Sequence, residues 1–257
     1  LPILELSDIG YAAGPKRILS AIDLQLDAGQ VYGLVGPNGS GKSTLLKIIA
    51  RQIAPTSGAA EFAGKLLGDW AGRAFARSVA YMPQFTPATD GMTVRELVAL
   101  GRFPWHGTLG RVTQEDRTMV EEAMVRTDVA EFADSNVANL SGGERQRVWL
   151  AMMLAQNARC LLLDEPTSAL DLAHQASVLS LVHSLARERG LTVIVVLHDV
   201  NLAARYCDRI IALNRGTIIA EGNPAAIMTA ERLQQIFNVE MGVFSHPYRQ
   251  EPVSYLL

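Results

Sequence analysis

The sequence predicts an α/β protein: a mixed β-sheet core, an antiparallel β part at the N-terminus and an inserted helical subdomain. Three observations predict it. Residues 18–26 alternate apolar and polar side chains, as a strand with one wet face does. Short apolar runs at 30–35, 161–163 and 192–197 alternate with helical patterns, which argues for parallel strands covered on both faces. Between residues 85 and 159 no convincing strand pattern occurs.

The elements follow in order. Strands at 3–9 and 18–26 are joined through Ala13-Gly14-Pro15, and Ala28-Gly29 makes the next turn. The strand at 30–35 runs directly into a glycine loop. A helix at 42–51 carries Leu45, Leu46, Ile48 and Ile49 at helical spacing and is closed by Pro55 and Gly58. Short strands at 59–62 and 78–82 flank a polar helix at 70–77. Helices at 94–100, 114–127 and 144–156 follow, with Gly, Pro and His gathered in a loop at 101–110. A strand at 161–163, a helix at 173–189 and a strand at 192–197 restore the α/β pattern. A hairpin of 210–213 and 217–220 turns at Arg215-Gly216, and short helices follow at 225–228 and 230–237. The last twenty residues show little periodicity and read as a loose tail. The division expected is a core of 1–86 with 159–257 and a helical subdomain of 87–158.

Composition narrows the function classes. The chain has 257 residues, enough for a core that needs no disulfide or structural metal. Its net charge of −3 gives no argument for a nucleic acid partner, and none is expected. Cys160 and Cys207 fit no metal-ligand spacing and suit a reducing compartment. The N-terminus predicts no signal peptide, and no apolar run approaches the length of a bilayer span.

Residues Gly36, Pro37, Asn38, Gly39, Ser40, Gly41, Lys42, Ser43 and Thr44 fit G-x-x-x-x-G-K-[ST] between a strand and a helix. The glycines let backbone N–H groups turn inward around a phosphate, and the helix N-terminus adds its positive dipole end. Lys42 is expected to bridge the β- and γ-phosphates, and Ser43 to offer its hydroxyl to Mg²⁺. At 161–166, LLLDEP places Asp164 and Glu165 at the C-terminal end of a buried strand, where ligands of open α/β sheets gather. Asp164 is placed to hold Mg²⁺ through water, and Glu165 to polarise an attacking water. Ser141, Gly142 and Gly143 open another helix and form a second anion-ready nest. One nucleotide does not need two nests, so the second is read as serving a nucleotide held by another copy.

GPNGSGKST (36–44), YMPQ (81–84), LSGGE (140–144), LLLDE (161–165), SALD (168–171) and LHD (197–199) occur together in one order. In this the chain resembles the ATP-binding subunit of an ATP-binding cassette (ABC) transporter over nearly its whole length. The resemblance implies ATP and Mg²⁺ as ligands and a head-to-tail pair of copies, with Ser141, Gly142 and Gly143 of one copy facing the γ-phosphate on Lys42 of the other. It implies that Glu165 is the catalytic carboxylate, that Gln84 contacts Mg²⁺ and the attacking water, and that His198 contacts the γ-phosphate. Asp171 would lie in the loop coupling the two sites. Tyr11 would stack on adenine, with a plain surface tyrosine as the alternative. Without the resemblance, Gln84 and His198 carry weak signals. Glu144 departs from the commoner glutamine of the signature, and suits a first helical turn.

The segment GMTVREL (91–97) through GRFPWHG (101–107) is similar to ATPases that import iron(III)–siderophore complexes, particularly ferric hydroxamates of the ferrichrome type. That resemblance implies a separate transmembrane permease, an extracytoplasmic substrate-binding protein, and a position at the cytoplasmic face of a bacterial inner membrane. Import of heme or cobalamin by the same engine, and a soluble ATP-dependent regulator, are the alternatives. Phe103, Pro104 and Trp105 read either as packing residues or as a docking patch for the permease.

Overall fold

The computed structural model describes residues 2–87, 89, 91–107, 110–168 and 170–257. Strands β1 (Leu4–Ala13), β2 (Lys16–Leu26) and β3 (Val31–Val35) lead into α1 (Lys42–Ile49), β4 (Ser57–Phe62) and β5 (Lys65–Leu66). After them come α2 (Gly72–Ser78), β6 (Val79–Met82), α3 (Val94–Leu100), α4 (Phe103–His106), α5 (Gln114–Arg126) and α6 (Gly142–Ala155). Next are β7 (Cys160–Leu163), α7 (Leu172–Arg189), β8 (Thr192–Val196), α8 (Val200–Tyr206), β9 (Arg209–Asn214) and β10 (Thr217–Gly222). Helices α9 (Pro224–Ile227) and α10 (Ala230–Phe237) precede β11 (Met241–Ser245) and β12 (Pro252–Leu256). Two compact units result, one of Leu1–Trp70 with Leu185–Leu257 and one of Ala71–Ser184.

In the first unit an antiparallel sheet runs in the order β2-β1-β4-β5. The alternation read from the sequence sets its register: Leu4, Leu6 and Ile9 lie opposite Leu26, Leu24 and Ile22, all buried. A mixed sheet runs β10-β9-β3-β8, with β3 parallel to both of its neighbours and β9 antiparallel to β10. Every residue of β3 and β8 is buried, as their continuous apolar runs require. The β9–β10 turn has φ of 47° at Arg215 and 81° at Gly216, the left-handed pair that a tight hairpin needs. Helix α8 lies against the β3 main chain at Gly33, where a Cβ would stand 2.9 Å from Cys207 Sγ and 3.2 Å from Ala203 Cβ.

The final segment is not a loose tail. Strands β11 and β12 pair antiparallel in a hairpin. Met241 and Val243 pack on a buried cluster of Val200, Met228 and Leu233. Its order comes from these distant partners, which local periodicity does not report.

In the second unit β6 and β7 pair in parallel, and α3, α5 and α6 pack together. Thr93, Thr113 and Ser141 each begin a helix with a reciprocal cap, closed by Glu96, Asp116 and Glu144. The expected loop at 101–110 contains the short helix α4, begun by Pro104 in its first turn; Thr108 and Leu109 lie outside the described residues. Trp105 is a packing residue: its Nε1 donates to Gln156 O at 2.8 Å, and the Arg77 and Arg102 guanidinium groups stack on its ring. Phe103 is exposed.

Both cysteines are buried and unbridged. Burial pushes the Cys160 thiol up to about 12 and raises that of Cys207 as well, which makes them packing residues without thiolate chemistry. Among the described residues no helix is long and apolar enough to cross a membrane.

One buried ion pair anchors the helical part. Arg102 Nε donates to Asp116 Oδ1 at 2.8 Å, with the side chains 4% and 5% exposed. Arg102 Nη1 also donates to Ala155 O, and Asp116 Oδ2 accepts from the Thr113 amide and hydroxyl. Burial alone would raise the Asp116 carboxyl, but the Thr113 and Arg102 donors outweigh it and hold it at about 2. Because the folded value lies below the ordinary 3.8, the stabilisation is complete above about pH 4 and is lost as pH falls through about 2. Its size is about 2 kcal/mol. Urea unfolding between pH 5 and 2.5 should therefore show a stability difference between wild type and Asp116→Asn that shrinks toward acid. A difference that stays constant would contradict the assignment.

Candidate functional site

Strand β3 delivers the glycine loop to α1. Gly36, Gly39 and Gly41 have φ of 141°, 77° and 102°, a region that side-chain-bearing residues rarely adopt. Space adds a second demand: a Cβ on Gly36 would stand 2.0 Å from Leu213 O, and one on Gly41 2.5 Å from Leu19 Cδ2. The β9–β10 turn braces the loop, since the Gly216 amide donates to Ser40 O at 3.1 Å. Helix α1 starts at Gly41 without a side-chain cap, so its first amides are presented to the loop. Lys42 is 5% exposed, and its Nζ donates to Gly36 O at 2.8 Å and to Pro37 O at 2.9 Å. Ser40 Oγ is buried with no hydrogen-bond partner among the described groups. Uncapped amides, a buried ammonium and an orphaned hydroxyl form a cradle for a polyphosphate. Pro37, Ser43 and Thr44 are half-buried beside it, and Asn38 is exposed.

His198 leaves the same strand edge. Parallel pairing sets Leu34 beside Val196, and the Leu197 amide donates to Leu34 O at 3.1 Å. The phosphate loop after β3 and exposed His198 after β8 thus emerge from adjacent strand ends. Tyr11 sits half-buried on β1 opposite Leu19, the residue that Gly41 approaches.

The second unit holds the other candidates. Glu165 follows β7 with φ of 52°, and Gln84 Nε2 donates to its Oε2 at 2.6 Å. Asp164 is 1% exposed, and its amide donates to Met82 O at 3.0 Å, continuing the β6–β7 ladder. Burial, and then the nearby Asp164 charge, push the Tyr81 phenol up to about 12. A cavity of about 390 Å³ is lined by Gln84, Glu165, Gly142, Arg145 and Trp149, among others. Gln84 and Glu165, far apart in sequence, thus share one cavity with the first residue of α6.

Ser141 caps α6: its Oγ accepts from the Glu144 amide, and its own amide donates to Glu144 Oε2 at 2.8 Å. The Ser141 hydroxyl and amide lower the Glu144 carboxyl, so Glu144 is ionised at the positive helix end. Asp171 Oδ1 accepts from the His174 amide at 2.9 Å and meets His174 Nδ1 at 2.9 Å, which lowers its carboxyl too. Ala169 of the SALD run lies outside the described residues. His174 has a role that the sequence analysis missed: its ring presses on Gly143, where a Cβ would stand 2.2 Å from Cδ2. The Asp-x-x-His spacing was the available signal.

This contact makes a signed prediction. Gly143→Ala should lower stability modestly, by about 0.5–1.5 kcal/mol, because the exposed His174 ring must turn from its rotamer to make room. In a His174→Ala background the same change should be neutral or stabilising, because alanine favours a helix. Thermal unfolding of the four proteins checks it; equal losses in both backgrounds would refute the contact's importance.

Comparison with known proteins bears on the whole arrangement. The family model described as ABC transporter matches residues 19–168. The chain is 41% identical over 250 residues to the iron(3+)-hydroxamate import ATP-binding protein FhuC of Bacillus subtilis (strain 168), covering 97% of this chain and 93% of that one. It is 42% identical over 256 residues to the hemin import ATP-binding protein HmuV of Pseudomonas entomophila (strain L48), covering 98% of each. In structure it is similar to an inward-facing conformation of a metal-chelate type ABC transporter, with a TM-score of 0.86 at 27% identity, covering 100% of this chain and 97% of that one. The fold is the P-loop ABC ATPase fold, with a mixed β-sheet core and a helical subdomain. The chain belongs to the ABC transporter family, as a nucleotide-binding subunit with ABC-type ATPase activity.

Proposed function

We propose that this subunit hydrolyses ATP to drive uptake of an iron(III)–siderophore complex, of the hydroxamate class, through a separate permease. The observation that carries the cargo is the likeness to a hydroxamate import subunit across 97% of the chain. Heme is the second reading, favoured by the hemin import relative at 42% identity.

The donor set fits ATP with Mg²⁺. Ser43, Gln84 and Asp164 offer hydroxyl, amide and carboxylate oxygens, the hard donors Mg²⁺ takes while keeping several waters. When bound, Mg²⁺ neutralises charge on the β- and γ-phosphate oxygens. Lys42 binds the same oxygens, and the amides of the glycine loop orient them. Pro37, Asn38, Ser40 and Thr44 shape that loop, and Tyr11 stacks on adenine. Glu165 holds the attacking water and accepts its proton, and Gln84 holds Glu165 in place. His198 contacts the γ-phosphate.

The working unit in this proposal is a head-to-tail pair of copies at the cytoplasmic face of the membrane. Ser141, Gly142 and Gly143 of one copy complete the site of the other, and Asp171 links the two sites. Closure excludes water and aligns the reacting groups, and reopening moves the permease. A substrate-binding protein delivers cargo on the far side.

Labelled iron–hydroxamate uptake, measured in cells lacking the gene and complemented with wild type or Glu165→Gln, tests the proposal. Hemin and cobalamin uptake run in parallel. Uptake restored only by the wild type is the expected result. A defect confined to hemin or cobalamin would overturn the cargo, and normal uptake of all three would overturn the importer reading.

A further inference from the structure

Beyond the phosphate loop, one contact ties a remote part of the chain to the site. Asn201 lies in the first turn of α8, three residues after His198. Its Oδ1 accepts from the Ser254 amide at 2.7 Å and from the Ser254 hydroxyl at 3.0 Å, and its Nδ2 donates to Ser254 O at 3.1 Å. The side-chain amide thus pairs with β12 as a neighbouring strand would, meeting both main-chain groups of one residue. Ser254 is 6% exposed, so a broken clip would strand buried polar groups.

The packing converges on the same turn. Val200, the first residue of α8, belongs to the buried cluster that Met241 and Val243 of β11 cover, with Ala204 beside them. Asp199 caps the helix, its carboxylate accepting from the Asn201 amide at 2.7 Å. A seven-residue helix is marginal by itself and takes its position from what it packs on. Farther along, α8 is pinned to β3 where Ala203 and Cys207 meet Gly33. On the other side of His198, the Leu197 amide is bonded to Leu34 O. His198 therefore sits on a short span between two anchors, β8 before it and the hairpin-held turn after it.

We infer that Asn201, by clipping the C-terminal hairpin onto the first turn of α8, is a positioning residue for His198. The inference rests on the proposed contact of His198 with the γ-phosphate. The hairpin then sets the orientation of that histidine during hydrolysis, with no contact of its own to nucleotide. A displacement of about 1 Å at a reacting group can cost up to about a hundredfold in rate.

The test is a double-mutant cycle on the full-length chain, reading kcat and KM for ATP together with Tm. Asn201→Ala should lower kcat about tenfold or more while KM stays within about twofold. In a His198→Ala background the same change should have no further effect on kcat. Asn201→Asp keeps the acceptor and loses the donor, and should fall between alanine and wild type. It also serves if Asn201→Ala lowers Tm enough to unfold the chain. Equal losses of kcat in both backgrounds, or a wild-type kcat in Asn201→Ala, would overturn the inference. If His198→Ala alone leaves kcat unchanged, the histidine reading itself fails, and the inference falls with it.

Discussion

A lysine that is 5% exposed is tolerated only where dipoles or anions face its ammonium group. At Lys42 the chain supplies those dipoles itself, through the carbonyls of Gly36 and Pro37, the first two residues of the same loop. The lysine thus closes the loop on itself and holds it in the shape a polyphosphate needs. Buried β3 fixes where the loop begins, and buried Leu45, Leu46, Ile48 and Ile49 fix the helix in which it ends. Glycine at Gly36 and Gly41 is demanded twice, by left-handed backbone and by neighbours that leave no space for a Cβ. The ATPase reading depends on this turn of chain more than on any other.

The other candidates are arranged by the same economy of strand ends. Parallel pairing of β3 with β8 brings His198 to the edge from which the phosphate loop emerges. Within the second unit, parallel pairing of β6 with β7 brings Gln84 and Glu165 together, and their side chains meet at 2.6 Å. The helix termini carry the remaining polar groups. Ser141 and Glu144 satisfy each other's amides, which explains the acidic residue in the signature by local physics: a carboxylate closes the capping box and meets the helix dipole.

Local pattern made much of this legible. The strand alternation at 18–26, the glycine spacing at 36–44 and the turn at Arg215-Gly216 each rest on neighbours in sequence, and each is where it was expected. What escaped depends on distant partners. Residues 241–256 look aperiodic because their order comes from distant partners: Met241 and Val243 meet an apolar cluster, while Phe244 and Tyr255 remain about half exposed. The clip between Asn201 and Ser254 spans 53 residues, and no spacing rule could have paired them. Helix α4 is only four residues long, too short for a periodicity to show, although Pro104 marks its start. Gln84 and His198 were weak signals for the same reason, since the partners that give them meaning lie on other strands.

The central claim is that the loop around Lys42 is built to bind a nucleotide through its phosphates. Calorimetric titration of ATP with Mg²⁺ into wild type and Lys42→Met tests it directly, because methionine keeps the apolar stem and removes the charge. The account predicts an affinity loss of about ten- to a hundredfold or more in a protein that still unfolds cooperatively. Equal affinity in a folded Lys42→Met protein would contradict it.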